Sequence, residues 1–116
     1  MAFDEELADR IRALIADAPA ISETRMFGGL SFLSGGHMAV CASGQGGILV
    51  RVEPEATERL LATTTASPME MRGREMRGWV RVAADDVRTK RQLSPWVRRG
   101  LEYASSLPPK STGRRR

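Results

Sequence analysis

Glycine clusters divide residues 21–52 into short runs, and this spacing constrains the possible folds more than any other feature of the sequence. The runs are of strand length and cover residues 21–27, 30–33, 37–42 and 48–52. Between them lie Gly28-Gly29, Gly35-Gly36 and Gly44-Gln45-Gly46-Gly47. Glycine adopts the positive φ angles of tight hairpins, and such short connections leave no room for the crossover that parallel strands require. The spacing therefore predicts an antiparallel meander.

Helical patterns flank this region on both sides. Apolar residues at three- and four-residue steps predict an amphipathic helix over residues 4–18. That helix should end before Pro19, because the residue preceding a proline avoids the α region. After the strands, Pro54 begins a second, shorter helix that ends near Ala62, since proline suits the first helical turn.

Helical spacing returns near the end of the chain, over residues 87–107. Asp85 or Asp86 is the expected N-cap of this stretch. Ser94-Pro95 has the cap-then-proline pattern of a helix start, and it therefore predicts a kink or a restart of the helix there.

Residues 67–82 lie between these helices and contain the tripeptide Met-Arg-Gly twice, at 71–73 and 76–78. We interpret the repeat as a bend between two extended pieces. Alternation places Val80 and Val82 toward the core and Arg77, Trp79 and Arg81 on the other face, with Trp79 against the C-terminal helix. The whole pattern predicts an α+β fold, with N-terminal, middle and C-terminal helices on an antiparallel sheet of about five to six strands.

The size and charge of the chain indicate one domain with a basic tail. The sequence has 116 residues and a net charge of +4, and residues 1–109 carry 14 basic and 14 acidic side chains. The tail, residues 110–116, therefore holds the whole net charge, and we expect it to be disordered. Residues 1–71 are acidic and residues 72–109 are basic, at −5 and +5. A neutral body predicts weak or no direct binding of nucleic acid.

Other features of the sequence predict the cellular compartment and the oligomeric state. The chain has one cysteine, so it forms no internal disulfide. No apolar run approaches the roughly 18 residues of a membrane span, and the acidic start is unlike a signal peptide. We expect a soluble cytoplasmic domain that does not bind membranes and is a monomer or a homodimer.

No set of residues indicates catalysis, a metal or a cofactor. His37 and Cys41 are the sole imidazole and thiol. On one strand they would share a face about 13 Å apart, too far to ligate one ion or to form a nucleophile–base pair. The glycines at 44–47 lead into a strand, so no helix N-terminus follows them to hold a phosphate. We therefore predict no catalytic residue, no metal site and no cofactor.

The strongest local constellation interleaves arginines with a tryptophan. Its members are Arg72, Arg74, Arg77, Trp79 and Arg81. An aromatic ring between cations on one strand can stack a base or contact acidic side chains. The structural alternative is that Trp79 is covered while the arginine stems lie over it. The neighbouring methionines likewise favour core packing, with an adaptable binding surface as the alternative.

Several segments together resemble the N-terminal domain of the TfoX/Sxy competence regulators, over about residues 3–109. They are Arg-Met-Phe-Gly-Gly at 25–29, Ile-Leu-Val-Arg-Val at 48–52, Gly-Trp-Val-Arg-Val at 78–82 and the stretch 93–104. The motif residues expected to be structural are Arg25, Met26, Phe27, Gly28, Gly29, Gly78, Trp79, Trp96 and Gly100. The resemblance implies an α+β domain that acts in competence-gene transcription alongside a cyclic-AMP receptor protein, without catalytic residues or cofactor. Those regulators carry a second domain, whereas this sequence ends in Pro108-Pro109 and the tail, so we expect a stand-alone version.

Three hypotheses for function follow. The first is a non-catalytic regulatory or protein-interaction domain, whose partner by family analogy belongs to the transcription machinery. The second is a small nucleic-acid-binding accessory factor that uses residues 72–81 and the basic tail. The third is an enzyme with an unrecognised pocket, which a set of convergent polar groups would indicate.

Overall fold

The computed structural model of the chain describes residues 4–16, 21–26, 28–71 and 73–108. Within them, three helices and six strands confirm the predicted α+β class. They are α1 (Glu5–Leu14), β1 (Ile21–Met26), β2 (Gly29–Ser34), β3 (His37–Ala42), β4 (Ile48–Arg51), α2 (Thr57–Thr63), β5 (Ser67–Met71), β6 (Arg74–Val82) and α3 (Lys90–Ser106). Short 3₁₀ turns, Pro54–Ala56 and Ala84–Val87, precede α2 and α3. None of the described helices is both long enough and apolar enough to cross a bilayer.

The strands form one antiparallel sheet in the order β1-β2-β3-β4-β6-β5. The first four strands follow one another as the glycine spacing predicts. The chain then crosses by way of α2 and returns as a hairpin, of which β6 pairs with β4. As a result, β5 and β1 are the two edges of the sheet.

The helix ends depart from the predicted ones. Asp4 caps α1, its carboxylate accepting a hydrogen bond from the Leu7 amide at 3.1 Å, and the helix ends at Leu14. Residues 17–20, which include the predicted stop at Pro19, lie outside the described residues, as do 109–116 with the predicted tail. The capping prediction at Asp85 or Asp86 is wrong, because both lie in the 3₁₀ turn. Thr89 caps α3 instead, in a reciprocal capping box with Gln92.

Helix α3 continues through Pro95, so the predicted restart is wrong. The missing proline N–H would have bonded to the carbonyl of Arg91, one turn earlier. Both residues are exposed, and water can therefore satisfy that carbonyl without breaking the helix.

Two apolar clusters pack on opposite faces of the sheet. The first cluster lies between the sheet and the helices and is the main core. It includes Leu7 and Ile11 of α1, Leu60 of α2, Leu93, Trp96 and Val97 of α3, and Phe32, Val40, Ile48, Val50, Val80 and Val82 of the strands. The prediction that Val80 and Val82 face the core is confirmed, as both are fully buried. The second cluster contains Met38, Cys41, Leu49 and Met69, with Leu33, Met76 and Trp79 partly buried against it.

Helix α3 rests on the sheet at Gly100. A Cβ at this position would lie 2.3 Å from the carbonyl oxygen of Ala39 and 3.3 Å from Cγ1 of Val50. Contacts below 3.0 Å essentially never occur for a real Cβ. Glycine therefore sets how closely α3 approaches β3, which explains why the position is glycine.

Candidate functional site

The second cluster forms one face of the sheet, which we call the open face. Cross-strand partners share a face of a sheet, and the register joins Cys41 to Leu49, Leu49 to Arg81 and Arg51 to Trp79. The open face therefore adds two arginines to the apolar cluster. The three helices bury their apolar residues in the first cluster, on the opposite face, so among the described residues no helix covers the open face.

The open face has a sealed apolar floor and a partly accessible upper layer. The floor is Met38, Cys41, Leu49 and Met69, all at most 4% exposed. Leu33, Met76 and Trp79 are half-buried and stand around this floor. An antiparallel sheet face that meets water is ordinarily polar, because strand residues alternate between core and solvent. The open face is apolar instead.

Arg51 connects the open face to α3. Its guanidinium carbon lies 5.0 Å from the ring centroid of Trp79 and 5.5 Å from that of Tyr103 in α3. Trp79 itself packs in the second cluster, on the face away from the buried residues of α3. The prediction that Trp79 packs against the C-terminal helix is therefore wrong, and Arg51 lies between the two aromatic rings. A guanidinium within about 6 Å of an aromatic face is attracted to it.

Arg81 is the second arginine of this face, and it is half-buried. Its Nη1 donates a hydrogen bond to the hydroxyl of Ser43 at 3.1 Å. Ser43 directly follows β3, so this hydrogen bond fixes the guanidinium beside the apolar floor. Within the described residues, no carboxylate lies within 4.0 Å of this guanidinium, which leaves its charge available to a ligand.

A kink in β6 divides the predicted arginine surface. Gly78 has a φ of 94°, a backbone conformation that residues other than glycine rarely adopt. As a result, Met76 and Trp79 pack on the same face of the sheet although they are three residues apart. Arg77 consequently turns to the helix side, where its Nε lies 3.4 Å from Oε2 of Glu58 in α2. The prediction that Arg77 shares a face with Trp79 and Arg81 is therefore wrong.

The remaining two arginines of that prediction lie toward the β5–β6 turn. Arg74 is exposed and, by alternation with Met76, lies at the margin of the open face. Arg72 lies outside the described residues. The structure thus brings Trp79, Arg81 and Arg74 to one face and adds Arg51, which sequence reasoning missed. The sequence signal that could have placed Arg51 on this face is alternation: Leu49 and Arg51 alternate with Ile48, Val50 and Val52.

The carboxylates of the strands all lie on the other face. Glu23 pairs in register with the core residue Phe32, and Glu70 pairs with Glu75, which precedes the open-face residue Met76. Within the described part of the chain, no carboxylate lies within 4.0 Å of the guanidinium of Arg51, Arg74 or Arg81. The open face is therefore cationic as well as apolar.

The thiol in the floor is inert in this setting. Cys41 is fully buried, with its Sγ 3.6 Å from the carbonyl oxygen of Ala42. Burial raises the pKa of the Cys41 thiol, while the Ser31 hydroxyl and the charge of Arg81 oppose that rise. Because the Ser31 hydroxyl makes no hydrogen bond of ordinary geometry, burial dominates. A protonated, inaccessible thiol does not serve as a nucleophile.

His37 lies on the opposite face from Cys41, so the prediction that they share a face is wrong. Phe32 pairs with Val40 and Leu33 pairs with Met38, which leaves an extra residue in β3 and reverses the alternation. The Nε2 of His37 donates a hydrogen bond to the carbonyl oxygen of Pro108 at 2.6 Å. Among residues 4–16, 21–26, 28–71 and 73–108, no three metal-ligating side chains converge.

The motif residues of the sequence are spread over both faces. Trp96 lies in the main core at 7% exposure, with the Arg99 guanidinium 4.8 Å from its ring centroid. Gly28 and Gly29 lie at the β1–β2 turn, and Arg25 is exposed in β1. Phe27 and the side chain of Met26 lie outside the described residues.

Comparison with known proteins gives one family. The family model described as the TfoX N-terminal domain matches residues 13–104. The matched span begins within α1 and ends within α3, and it therefore includes the whole sheet. No curated protein matches the sequence.

Proposed function

Since the chain belongs to the TfoX N-terminal domain family, we propose that it is a non-catalytic regulatory domain that binds another protein through the open face. By analogy with the competence regulators, the proposed partner belongs to the transcription machinery and the domain acts in the cytoplasm. The observation that carries the proposal is the apolar face of the sheet, with its arginines, on the side that no described helix covers.

The placement of the potentially reactive groups supports a non-catalytic role. The thiol is sealed in the floor of the open face, and the imidazole is held against a backbone carbonyl at the end of α3. Within the described residues, the carboxylates that form ion pairs are exposed; they are those of Asp9, Glu23, Glu58 and Asp85. Catalytic carboxylates, by contrast, are commonly shielded from water in a cleft.

Nucleic-acid binding is the second candidate, favoured by the guanidinium of Arg51 stacked on Trp79. Against it, the cations of β6 diverge, because Arg77 turns away from Arg81 toward Glu58. Affinity for phosphates depends on cations that converge on one surface. A steep fall in DNA or RNA binding between low and high salt would favour this candidate over protein binding.

Photo-crosslinking in the native cell tests the proposal. Met76, on the open face, and Arg98, on the exposed side of α3, are replaced one at a time by a photo-reactive phenylalanine analogue. We expect a specific protein crosslink from position 76 and not from position 98. The crosslinked protein is then identified, purified and shown to bind the unmodified chain directly. Equal crosslinking from both positions, or a product that nuclease abolishes, would reject the proposal.

A further inference from the structure

We infer that the segment which the open face binds is an acidic amphipathic helix of the partner protein. This inference rests on the proposed function and specifies the chemistry of the partner. It follows from three properties of the open face: its charge, its accessible apolar side chains and the absence, among the described residues, of a second layer that covers it.

The charge of the open face is uncompensated. Arg51, Arg74 and Arg81 lie on it or at its margin, and within the described residues none of them has a carboxylate within 4.0 Å. The strand carboxylates lie on the helix-covered face, and Glu23 there is already paired with Arg12 at 2.7 Å. Charge-assisted hydrogen bonds to arginine are among the strongest that carboxylates make. A complementary ligand therefore carries carboxylates.

The accessible apolar side chains require an apolar stripe on the same ligand. Leu33, Met76 and Trp79 are half-buried, and they pack against the floor of the open face. Methionine adapts its shape to different partners because its side chain is unbranched and polarizable. An apolar ligand surface that covers these three residues would complete their burial.

A helix fits this combination because a sheet face is ordinarily covered by a second layer. The opposite face of this sheet is covered in that way by α1 and α3. An amphipathic helix presents one apolar stripe with polar side chains on both flanks. Its carboxylates would reach Arg74 and Arg81, while the stripe rests on Met76 and Trp79.

The same face is poorly suited to single-stranded nucleic acid. Binding of that kind uses several aromatic rings in succession, on which neighbouring bases stack. Among the described residues of the open face, Trp79 is the one aromatic side chain, and Arg51 already stacks on its ring. The other apolar side chains of this face are methionine, leucine and cysteine.

Titration of the full chain with defined probes tests this inference. The first probe is a synthetic peptide of about 18 residues, long enough to form an isolated helix, with a leucine and phenylalanine stripe flanked by glutamates. The second probe replaces every glutamate by lysine, and the third is a thymidine oligonucleotide. Binding is followed by NMR on ¹⁵N-labelled chain. We expect the acidic peptide to shift the amides of Leu33, Met76 and Trp79 and to bind more weakly as salt rises from about 50 mM to about 500 mM.

Charge-reversal variants locate the contact. Arg74→Glu should weaken binding of the acidic peptide about tenfold, equivalent to about 1.4 kcal/mol. Arg74→Gln, which removes the charge without adding another acid beside Glu75, should give a smaller loss. The matched control Arg98→Glu makes the same change in net charge on the exposed side of α3 and should leave the affinity within about twofold.

Several outcomes would overturn the inference. Equal binding of the lysine peptide, tighter binding of the oligonucleotide, shifts confined to α1 and α3, or equal losses from Arg74→Glu and Arg98→Glu would each do so. The crosslinking experiment has a separate outcome. If a protein is captured at position 76 but the acidic peptide does not bind, the proposed function stands and this inference fails. If the peptide binds but no protein is captured, the open face has the inferred chemistry, but the proposed function fails and the inference about its partner fails with it.

Discussion

Replacing Gly100 by alanine tests how α3 is seated on the sheet. In the middle of an ordinary exposed helix this change stabilises the folded state by ~1 kcal/mol, because alanine has the higher helix propensity. Here the added Cβ would lie 2.3 Å from the carbonyl oxygen of Ala39, and it must retreat by about 0.7 Å to reach the closest tolerated contact of 3.0 Å. We therefore expect the sign of the effect to be reversed.

The magnitude follows from the nature of the obstructing atom. Overpacking in a core costs roughly 1–3 kcal/mol, and a backbone carbonyl cannot rotate away as a side chain would. A retreat of this size also separates α3 from its neighbours in the main core, and gaps of 0.5–1 Å forfeit about a quarter to a half of each dispersion contact. After the gain in helix propensity, the net loss is about 2 kcal/mol. The melting temperature should fall by about 10 °C.

Thermal and urea unfolding, followed by circular dichroism, measure this loss. Ser105→Ala, at an exposed position of the same helix, is the control and should change stability by less than about 0.5 kcal/mol. The double variant Gly100→Ala/Val50→Ala should not recover stability, because the nearest atom belongs to Ala39 rather than to Val50. A neutral or stabilising Gly100→Ala would refute the reasoning, and so would rescue by Val50→Ala.

Three further predictions concern the two faces of the sheet and the surface of α1. Val80→Ala should destabilise the fold by roughly 1–3 kcal/mol, whereas Arg77→Ala should cost less than about 1 kcal/mol because its ion pair is exposed; urea unfolding compares the two. The thiol of Cys41 should resist a disulfide reagent in the native chain and react in urea, and rapid labelling of the native chain would contradict this. Because burial raises the pKa of this thiol, the stability of the fold should decrease as pH rises above about 8.5, where the thiol of the unfolded chain ionises. The pKa of Glu23 is lowered by its hydrogen bond with Arg12, so the contribution of this pair to stability is present above about pH 4.3 and is lost as pH falls through the lower pKa of the folded state. Glu23→Gln should therefore make the acid limb of a curve of Tm against pH slightly shallower. An unchanged acid limb would exclude this contribution.

The meander and the helices could be predicted from the sequence because their signals are local. Glycine clusters mark the hairpin turns within a few residues of their strands, and the structure begins β3 at His37 and ends it at Ala42, as predicted. The predicted start of α3 is wrong because two capping signals compete there, an acidic pair and a capping box. Asp85 and Asp86 resemble caps, yet Thr89 caps the helix because it has Gln92 three residues later to close the box.

The composition of the open face could not be predicted in the same way, because it depends on long-range pairing. The extra residue in β3 has no glycine or proline to mark it, and it alone separates His37 from Cys41. Likewise, the kink at Gly78 sends Arg77 to α2, and nothing near Arg77 in the sequence indicates Glu58 as its partner. Which face the helices cover is decided by packing of the whole chain, so the role of Arg51 emerges from the structure alone.

The order of the strands also has a consequence for the kinetics of folding. In four of the five strand pairings the partners follow each other directly along the chain, but β4 and β6 pair across α2 and β5. Hairpins between neighbouring strands close short loops, whereas the β4–β6 pairing must close a long one and so carries a larger entropic cost. The β1–β4 meander and the β5–β6 hairpin can therefore form early and independently. Their joining at Val50 and Val80, with α3 closing over the seam, is the expected rate-limiting step, and substitutions at that seam should slow folding more than substitutions near the β1–β2 turn.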